Sequence, residues 1–290
     1  MATIRVLRTA KATLSRTFYL DEVATPATGS VSVSVTRLDG TLIQSGAAVG
    51  PDASNAYSFL FQGSDVLDEL VLTWSATVAG DAVVLDSDVI EVVGAFFFGL
   101  AEGRAVDQAL SNTTKYPTAL LVDARVFTED ECELITGQAW VPRFCREALS
   151  ADNAGRLRLS NTMIRAVRAI TVNGSIWSGT ALTGLGFSDT GIVYSDSGSF
   201  LPPRQLGRKN VVIEYEHGHD RPTPDILRGA KQRFKSIALQ GKSALPDRAE
   251  RLVTVDAGTV FLASPAVDKV GIPEVDAAYA RAPSPRPGFG

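Results

Sequence analysis

Cysteine and histidine are scarce in this 290-residue chain, which has two of each. Cys132 and Cys145 are too few for a disulfide framework, and a four-ligand zinc cage would need both histidines as well. In a chain without an export signal we expect two small buried thiols. The sequence indicates no cofactor.

Long apolar runs are also missing. The densest, GAFFFGLA at Gly94 to Ala101, is far too short to cross a bilayer of about 30 Å. Three basic residues near the N-terminus are followed by ATLSRTFYL, whose polar residues interrupt any signal-peptide core. We therefore expect no membrane partner and no secretion by that route.

Composition and length are those of an ordinary globular protein. Apolar residues make up 45% and charged residues 21%, and the length predicts about two domains. Residues 1–94 carry 5 basic and 11 acidic side chains, a balance of −6, and the remainder carries 23 and 21, a balance of +2. This break in charge predicts a domain boundary near Gly94.

Residues 1–94 alternate apolar and polar side chains between turn signals. In VSVSVTRL, at Val31 to Leu38, the valines share one face, and Asp39-Gly40 then favours a tight hairpin. About seven such strands predict an immunoglobulin-like β-sandwich, with Trp74 as its core aromatic residue. The predicted fold class is therefore α+β and multidomain, with this sandwich first.

Helical spacing begins after Gly94. We predict a core, residues 95–245, with helices at 98–110, 117–136 and 224–241 and a β-rich insertion at 139–216. The second helix opens at Pro117 and ends at Gly137. Its predicted apolar stripe comprises Leu120, Leu121, Ala124, Phe127, Leu134 and Ile135. The third helix has an apolar side comprising Ile226, Leu227, Ala230, Phe234, Ile237 and Ala238.

The remaining segments are shorter. Asn173-Gly174 is a strong hairpin signal inside the insertion, and Gly184 to Phe200 predicts an exposed loop or loose hairpin. Residues 246–290 predict two short strands, a short helix from Pro273 to Arg281, and an extended proline-rich arm.

Both histidines lie in EHGHD, Glu216 to Asp220. His217 and His219 are two apart on a strand and could hold a metal with a neighbouring acid, as in a metal-dependent hydrolase. A general base at His217 is another possibility. We favour a strand-to-helix junction, because Gly218 permits a bend and prolines then end strand pairing. The junction residues are His217, Gly218, His219, Pro222 and Pro224.

Other chemical motifs are weak. GLGFSDTG only partly imitates a dinucleotide fingerprint, and the chain has no P-loop, nucleophile elbow or H-E-x-x-H motif. Arginines recur in the insertion, at Arg143, Arg146, Arg156, Arg158, Arg165 and Arg168. They could follow phosphates, form a solvated face or contact acidic neighbours, and the last two alternatives are favoured in an acidic chain.

Two helices carry opposite charges. The second is expected to expose Glu129, Asp130 and Glu133 on an outer face that also holds Asp123. The third is expected to expose Arg228, Lys231 and Lys235, and Arg233 also lies outside its apolar side. Glu129, Asp130 and Glu133 of one copy facing Arg228, Lys231 and Lys235 of the next would form a candidate subunit interface that fixes orientation. Two unrelated solvated faces are the alternative.

Several motifs occur in an order that resembles a known family. They are TTKYP at Thr113 to Pro117, DECELITG, AWVPR and EYEHGHDRPTPDI, with a looser match at GIPEVDA. This series resembles the head-to-tail adaptor (head completion, connector) proteins of long-tailed bacteriophages, especially those of actinobacteria. The resemblance covers roughly residues 96–245.

The resemblance implies a structural virion protein and no enzyme. Such proteins form a ring, commonly twelve-fold, beneath the portal at the capsid–tail junction, after assembly in the host cytoplasm. The ring extends the channel through which double-stranded DNA passes without sequence recognition, and a tail terminator or stopper protein docks on it. The N-terminal sandwich would be an added domain, with the capsid as its candidate partner. The alternative is a minor tail or adhesin-type protein that uses the sandwich for surface recognition.

Overall fold

The chain folds as a mixture of helices and sheets. A computed structural model describes residues 3–20, 22–78, 82–150, 156–177, 179–195, 210–240, 251–254, 258–261 and 269–282. In these ranges it contains eighteen strands, five α-helices and one 3-10 helix. Their buried apolar side chains form three clusters.

The N-terminal β unit has a five-stranded sheet in the order β1-β9-β8-β5-β6. Its strands are β1 (Thr3–Leu7), β5 (Ser32–Arg37), β6 (Leu42–Ala47), β8 (Asp68–Val78) and β9 (Ala82–Val93). β8 alternates buried and half-buried side chains along its length, as a strand with one core face does. The predicted hairpin at Asp39-Gly40 is confirmed, since β5 and β6 pair antiparallel and Gly40 has a φ of +87°.

A second β layer covers this sheet. β2 (Ala12–Thr17) pairs with β7 (Ala56–Phe61), and a small hairpin joins β3 (Tyr19–Leu20) to β4 (Val23–Ala24). The two layers share one apolar core, in which Trp74 and Phe61 are fully buried. The predicted core role of Trp74 is confirmed, whereas immunoglobulin-like connectivity stays a prediction.

The helices form a second core with α1 (Leu100–Ala105), α2 (Thr118–Thr136), α4 (Pro224–Gln240) and α5 (Pro273–Ala280). The helix predicted at 98–110 is in fact divided. Asp107 has an extended backbone, and its carboxylate accepts the Ala109 N–H, which starts a separate 3-10 turn at Gln108–Ser111. α5 packs on α4, where a Cβ at Gly229 would lie 2.9 Å from the Ala278 methyl.

The predicted apolar stripe of α2 is confirmed at Leu121 and Ala124, which are buried, and is wrong at two positions. Phe127 is 52% exposed and Leu134 is 84% exposed, whereas the polar residues Thr128 and Glu129 are fully buried. The reason is that α4 and α5 cover one side of α2 while the N-terminal β unit covers another through ion pairs. Only a narrow strip of the helix remains in solvent.

The insertion between α2 and α4 consists of two small sheets. Its strands are β10 (Arg143–Leu149), β11 (Leu157–Arg158), β12 (Ile164–Val172), β13 (Ser175–Ile176), β14 (Leu185–Phe187), β15 (Ile192–Ser195) and β16 (Val211–His217). β16 lies between β10 and β12, and β15 lies between β11 and β14. The Asn173-Gly174 hairpin is confirmed by the pairing of β12 with β13.

One prediction inside the insertion needs correction. The strand expected after Gly174 ends at Ile176, and α3 (Gly179–Thr183) follows it. Of the two alternatives for Gly184 to Phe200, a loop or a loose hairpin, the described part is a hairpin of β14 and β15, and residues 196–200 lie outside the described residues.

Near the C-terminus, β17 (Arg251–Thr254) and β18 (Gly258–Phe261) pair antiparallel, as predicted. The proline-rich arm at 283–290 lies outside the described residues. None of the described helices has both the length and the apolar content that a bilayer crossing requires.

Candidate functional site

The EHGHD segment lies where the insertion returns to the helical core. β16 ends at His217 and α4 begins at Pro224. Gly218, between them, has a φ of +98°, and its N–H donates to the Met163 carbonyl oxygen at 2.9 Å. A Cβ at Gly218 would overlap the Val141 carbonyl oxygen, so the close approach of AWVPR requires glycine here.

The two histidines have different surroundings. His217 is buried beside the Tyr215 ring, its Nδ1 has no hydrogen-bond partner among the described residues, and burial lowers its pKa to about 4. His219 stacks on Trp140 with ring centroids 4.8 Å apart, and its Nε2–H donates to Gln138 Oε1 at 3.2 Å. Within the described ranges, no three His, Cys, Asp or Glu side chains group as metal ligands.

The motifs that carry the family resemblance meet at this junction. Arg143 of AWVPR pairs in register with His217, and the His219 N–H donates to the Ala139 carbonyl oxygen at 3.1 Å. Trp140 donates its indole N–H to Thr136 Oγ1, in DECELITG, at 2.9 Å. AWVPR and the end of α2 therefore pack against EHGHD, about 80 positions later in the sequence, and we call this contact region the joint.

A buried ion network lies beside this joint and links it to the N-terminal β unit. Arg5 of β1 contacts Glu91 at 2.6 Å and Glu129 at 3.0 Å, and also Asp130. The side chain of Arg5 is 4% exposed and that of Glu129 is 0% exposed. Glu129 also accepts the Phe97 N–H at 2.9 Å, so this carboxylate is held on two sides.

Arg143 of β10 is the second buried cation of the network. It contacts Glu91 at 3.1 Å, Glu133 at 3.2 Å and Glu129 at 3.6 Å. Two arginines therefore share the carboxylates of β9 and α2. The network joins β1, β9, α2 and β10, which belong to all three regions of the fold.

Burial and the neighbouring arginines shift the pKa values of these carboxylates in opposite directions. Burial raises the pKa of Glu129, although Arg143 and Arg5 oppose it. The same burial raises the pKa of Glu133 to about 7. The pKa of Glu91 is also pushed upward by burial, but the charges of Arg143 and Arg5 hold it below its ordinary value. Glu129 and Glu133 therefore take up a proton more readily than an ordinary carboxyl group does, whereas Glu91 does so less readily.

Of the three acidic residues that the sequence predicts to be exposed on α2, two are not exposed. Glu129 is fully buried and Glu133 is largely buried, because both bind arginines of the same chain. Asp130 is half exposed and contacts Arg5. Their role between subunits stays a prediction, which the burial of Glu129 weakens.

The basic face of α4 is also paired within the chain. Lys231 contacts Glu102 and Lys235 contacts Asp107, both at 2.9 Å. Arg228 contacts Asp225 at 2.9 Å in an exposed pair. Arg233, which the sequence places outside the apolar side of this helix, is buried and binds Glu131 of α2 through two hydrogen bonds of 2.6 and 2.9 Å.

Arginines of the insertion contact acidic neighbours, one of the alternatives left open by the sequence. Arg146 contacts Glu214 at 3.0 Å and Arg165 contacts Asp220 at 2.7 Å. Arg168 binds Glu216 and donates to the Leu67 carbonyl oxygen, which ties the insertion to the N-terminal β unit a second time. Arg156 and Arg158 are both exposed and share a face, as their alternation predicts.

Comparisons with known proteins found a likeness to solved structures. No family model matches the chain, and no curated protein matches it. A solved structure described as the neck of an empty GTA particle, computed with C6 symmetry, is 15% identical with a TM-score of 0.37. The match covers 51% of this chain and 80% of that one. A likeness of this extent does not decide a function.

Proposed function

We propose that this chain is a structural connector in the neck of a phage-like particle. Copies of it form a ring beneath the portal, commonly twelve-fold in the family it resembles, that joins capsid to tail and extends the DNA channel. The portal and a tail terminator or stopper protein are its partners. Double-stranded DNA passes without sequence recognition, and the chain has no catalytic role.

The observation that carries this proposal is the meeting of the resemblance motifs in one joint. AWVPR, the end of α2 and the EHGHD junction contact one another through Trp140, His219 and Gly218. TTKYP supplies the buried Tyr116 and then Pro117, the residue that caps α2. The shared sequence features therefore specify one structural unit, a helical core with a β insertion.

The position of the N-terminal β unit favours the connector over the adhesin-type alternative. A recognition module on a flexible linker acts independently of the body that carries it. Here Arg5 and Glu91 of the β unit share buried charges with Glu129 and Arg143 of the core. Because removing either arginine would leave the buried carboxylates of Glu91 and Glu129 with a single cation, the β unit is held as part of the subunit.

Particles assembled without this chain test the proposal. We expect DNA-filled capsids and free tails that fail to join, since a connector is needed before a tail can dock. Supplying the full chain in trans should restore joined particles. Capsids and tails that join normally but fail to adsorb to cells would contradict the connector role and support the adhesin-type alternative.

A further inference from the structure

α2 leaves one strip of its surface uncovered, and that strip combines apolar and acidic side chains. Among the described helices, Phe127 and Leu134 are the large apolar residues with more than half of their surface exposed. Asp123 lies one turn before Phe127 and is also exposed. We call these three residues the α2 outer face.

A shallow groove of about 470 Å³ continues the α2 outer face toward α4. Its lining residues are Leu120, Asp123, Ala124, Phe127 and Ile237. Asp123 is the only charged residue among them. The surface is therefore apolar with an acidic edge.

A second groove, of about 340 Å³, lies on another side of α4. Its lining residues are Val106, Pro224, Leu227, Arg228, Lys231 and Gln232. We call it the α1–α4 groove. It is apolar with a cationic edge, and the side chain of Arg228 is 74% exposed. The contact of Arg228 with Asp225 is an exposed pair and so holds this arginine only weakly.

The two surfaces face in different directions. Ile237 borders the first and Arg228 the second, nine residues apart on α4. At 3.6 residues per turn, this separation places them on opposite sides of the helix, about 180° apart. Copies that joined through these surfaces would each offer one side to the next, which is the head-to-tail type of contact from which rings are built when the rotation between copies closes.

We propose that the α2 outer face of one copy docks in the α1–α4 groove of a second copy of this chain. Phe127 and Leu134 supply the apolar contact, as aromatic and aliphatic anchors do at interface centres. Asp123 meets Arg228 at the edge and fixes orientation, while Lys231 keeps its contact with Glu102 of its own chain. The closing of a ring rests on the proposed connector function, whereas the pairwise contact does not.

The charges also disfavour a symmetric dimer, in which each surface would meet the same surface of the second copy. If two α2 outer faces met each other, the two Asp123 carboxylates would be brought together, and two α1–α4 grooves in contact would likewise bring the two Arg228 side chains together. Like charges in contact oppose association. The opposite-charge pairing of unlike faces avoids both conflicts.

Charge reversal in the full-length chain tests this contact by sedimentation velocity. Arg228→Glu should weaken self-association roughly tenfold or more, and adding Asp123→Arg should restore much of it, because the pair is then reversed. Phe127→Ser should also weaken association. Arg221→Glu, which reverses an exposed arginine outside the groove, should associate as the wild-type chain does.

These side chains are exposed, so each variant should keep the wild-type circular dichroism spectrum. A wild-type chain that stays monomeric at every concentration, or Arg228→Glu and Phe127→Ser chains that associate normally, would overturn the proposed contact. Neither result bears on the joining of heads and tails, so failure of this contact is distinguishable from failure of the connector function.

Discussion

Arg5 of β1 and Glu129 of α2 form a buried ion pair of 3.0 Å across 124 positions of sequence. The pair joins the N-terminal β unit to the helical core in a place that solvent does not reach. Glu129 also accepts a hydrogen bond from the Phe97 N–H at the start of the core. The first strand of the chain is therefore part of the structure that positions α2.

Removing Arg5 should destabilise the whole chain. Arg5→Ala leaves Glu129 buried without its closest cation, and breaking a buried pair in this way costs about 3–5 kcal/mol. Urea denaturation measures the change. Arg8→Ala removes an exposed arginine just after the same strand and should change stability by less than about 0.5 kcal/mol. Equal effects of the two variants would show that the network contributes nothing.

The β unit and the helical core should unfold together. The shared buried charges make it costly for one unit to unfold while the other stays folded. Differential scanning calorimetry of the wild-type chain should therefore show these units in one transition, and Arg5→Ala should separate it into two. Two well-resolved transitions in the wild-type protein would contradict this coupling.

Gly218 should tolerate no side chain. Gly218→Ala forces a Cβ against the Val141 carbonyl oxygen at a φ of +98°, and we expect a loss of about 2–5 kcal/mol from backbone strain and overlap. Gly137→Ala is the matched control, because Gly137 also has a positive φ but open space around it. That variant should lose about 1–2 kcal/mol. Chemical denaturation that ranks the two in the opposite order would contradict the role of Gly218.

His217 should make the protein less stable in acid. Its pKa of about 4 in the folded chain lies below the ordinary value of 6.5, so the unfolded chain binds more protons between these values. The free energy of unfolding should fall by on the order of 1–3 kcal/mol as pH drops from 6.5 to 4. His217→Leu should flatten this part of the profile, and His219→Leu should flatten it less. An unchanged profile in His217→Leu would refute the assignment.

Glu133 should act in the opposite sense. Its pKa of about 7 exceeds the ordinary 4.5, so the folded chain binds more protons between these values, and its contribution to stability falls as pH rises toward 7. Glu133→Gln keeps a neutral side chain at every pH. The variant should therefore gain stability relative to the wild-type chain on going from pH 5 to pH 8. A relative loss over that range would contradict the raised pKa.

Local features were predictable from the sequence because short-range chemistry decides them. Asp39-Gly40 and Asn173-Gly174 form the hairpins that their turn residues predict, and α2 ends at Gly137 with a left-handed backbone. The strand before Gly218 and the helix from Pro224 also follow from local composition.

Long-range contacts were not predictable. Counting apolar residues on α2 correctly selects Leu121 and Ala124, but it adds Phe127 and Leu134, whereas the structure buries Thr128 and Glu129 in their place. Burial of Glu129 depends on Arg5, which no local pattern connects to it. One signal in the sequence could have indicated this pair. Arg5 lies between Ile4 and Val6 in a short apolar strand, and a charge that is buried with such a strand needs a partner of opposite charge.

A reconstruction of the neck of particles that contain this chain tests the connector role most directly. We predict a ring of copies between portal and tail, with the α2 outer face of each copy toward the α1–α4 groove of the next and the N-terminal β unit fixed against α2. Density for the chain at the tail tip or on the capsid surface, with none at the capsid–tail junction, would contradict the connector role.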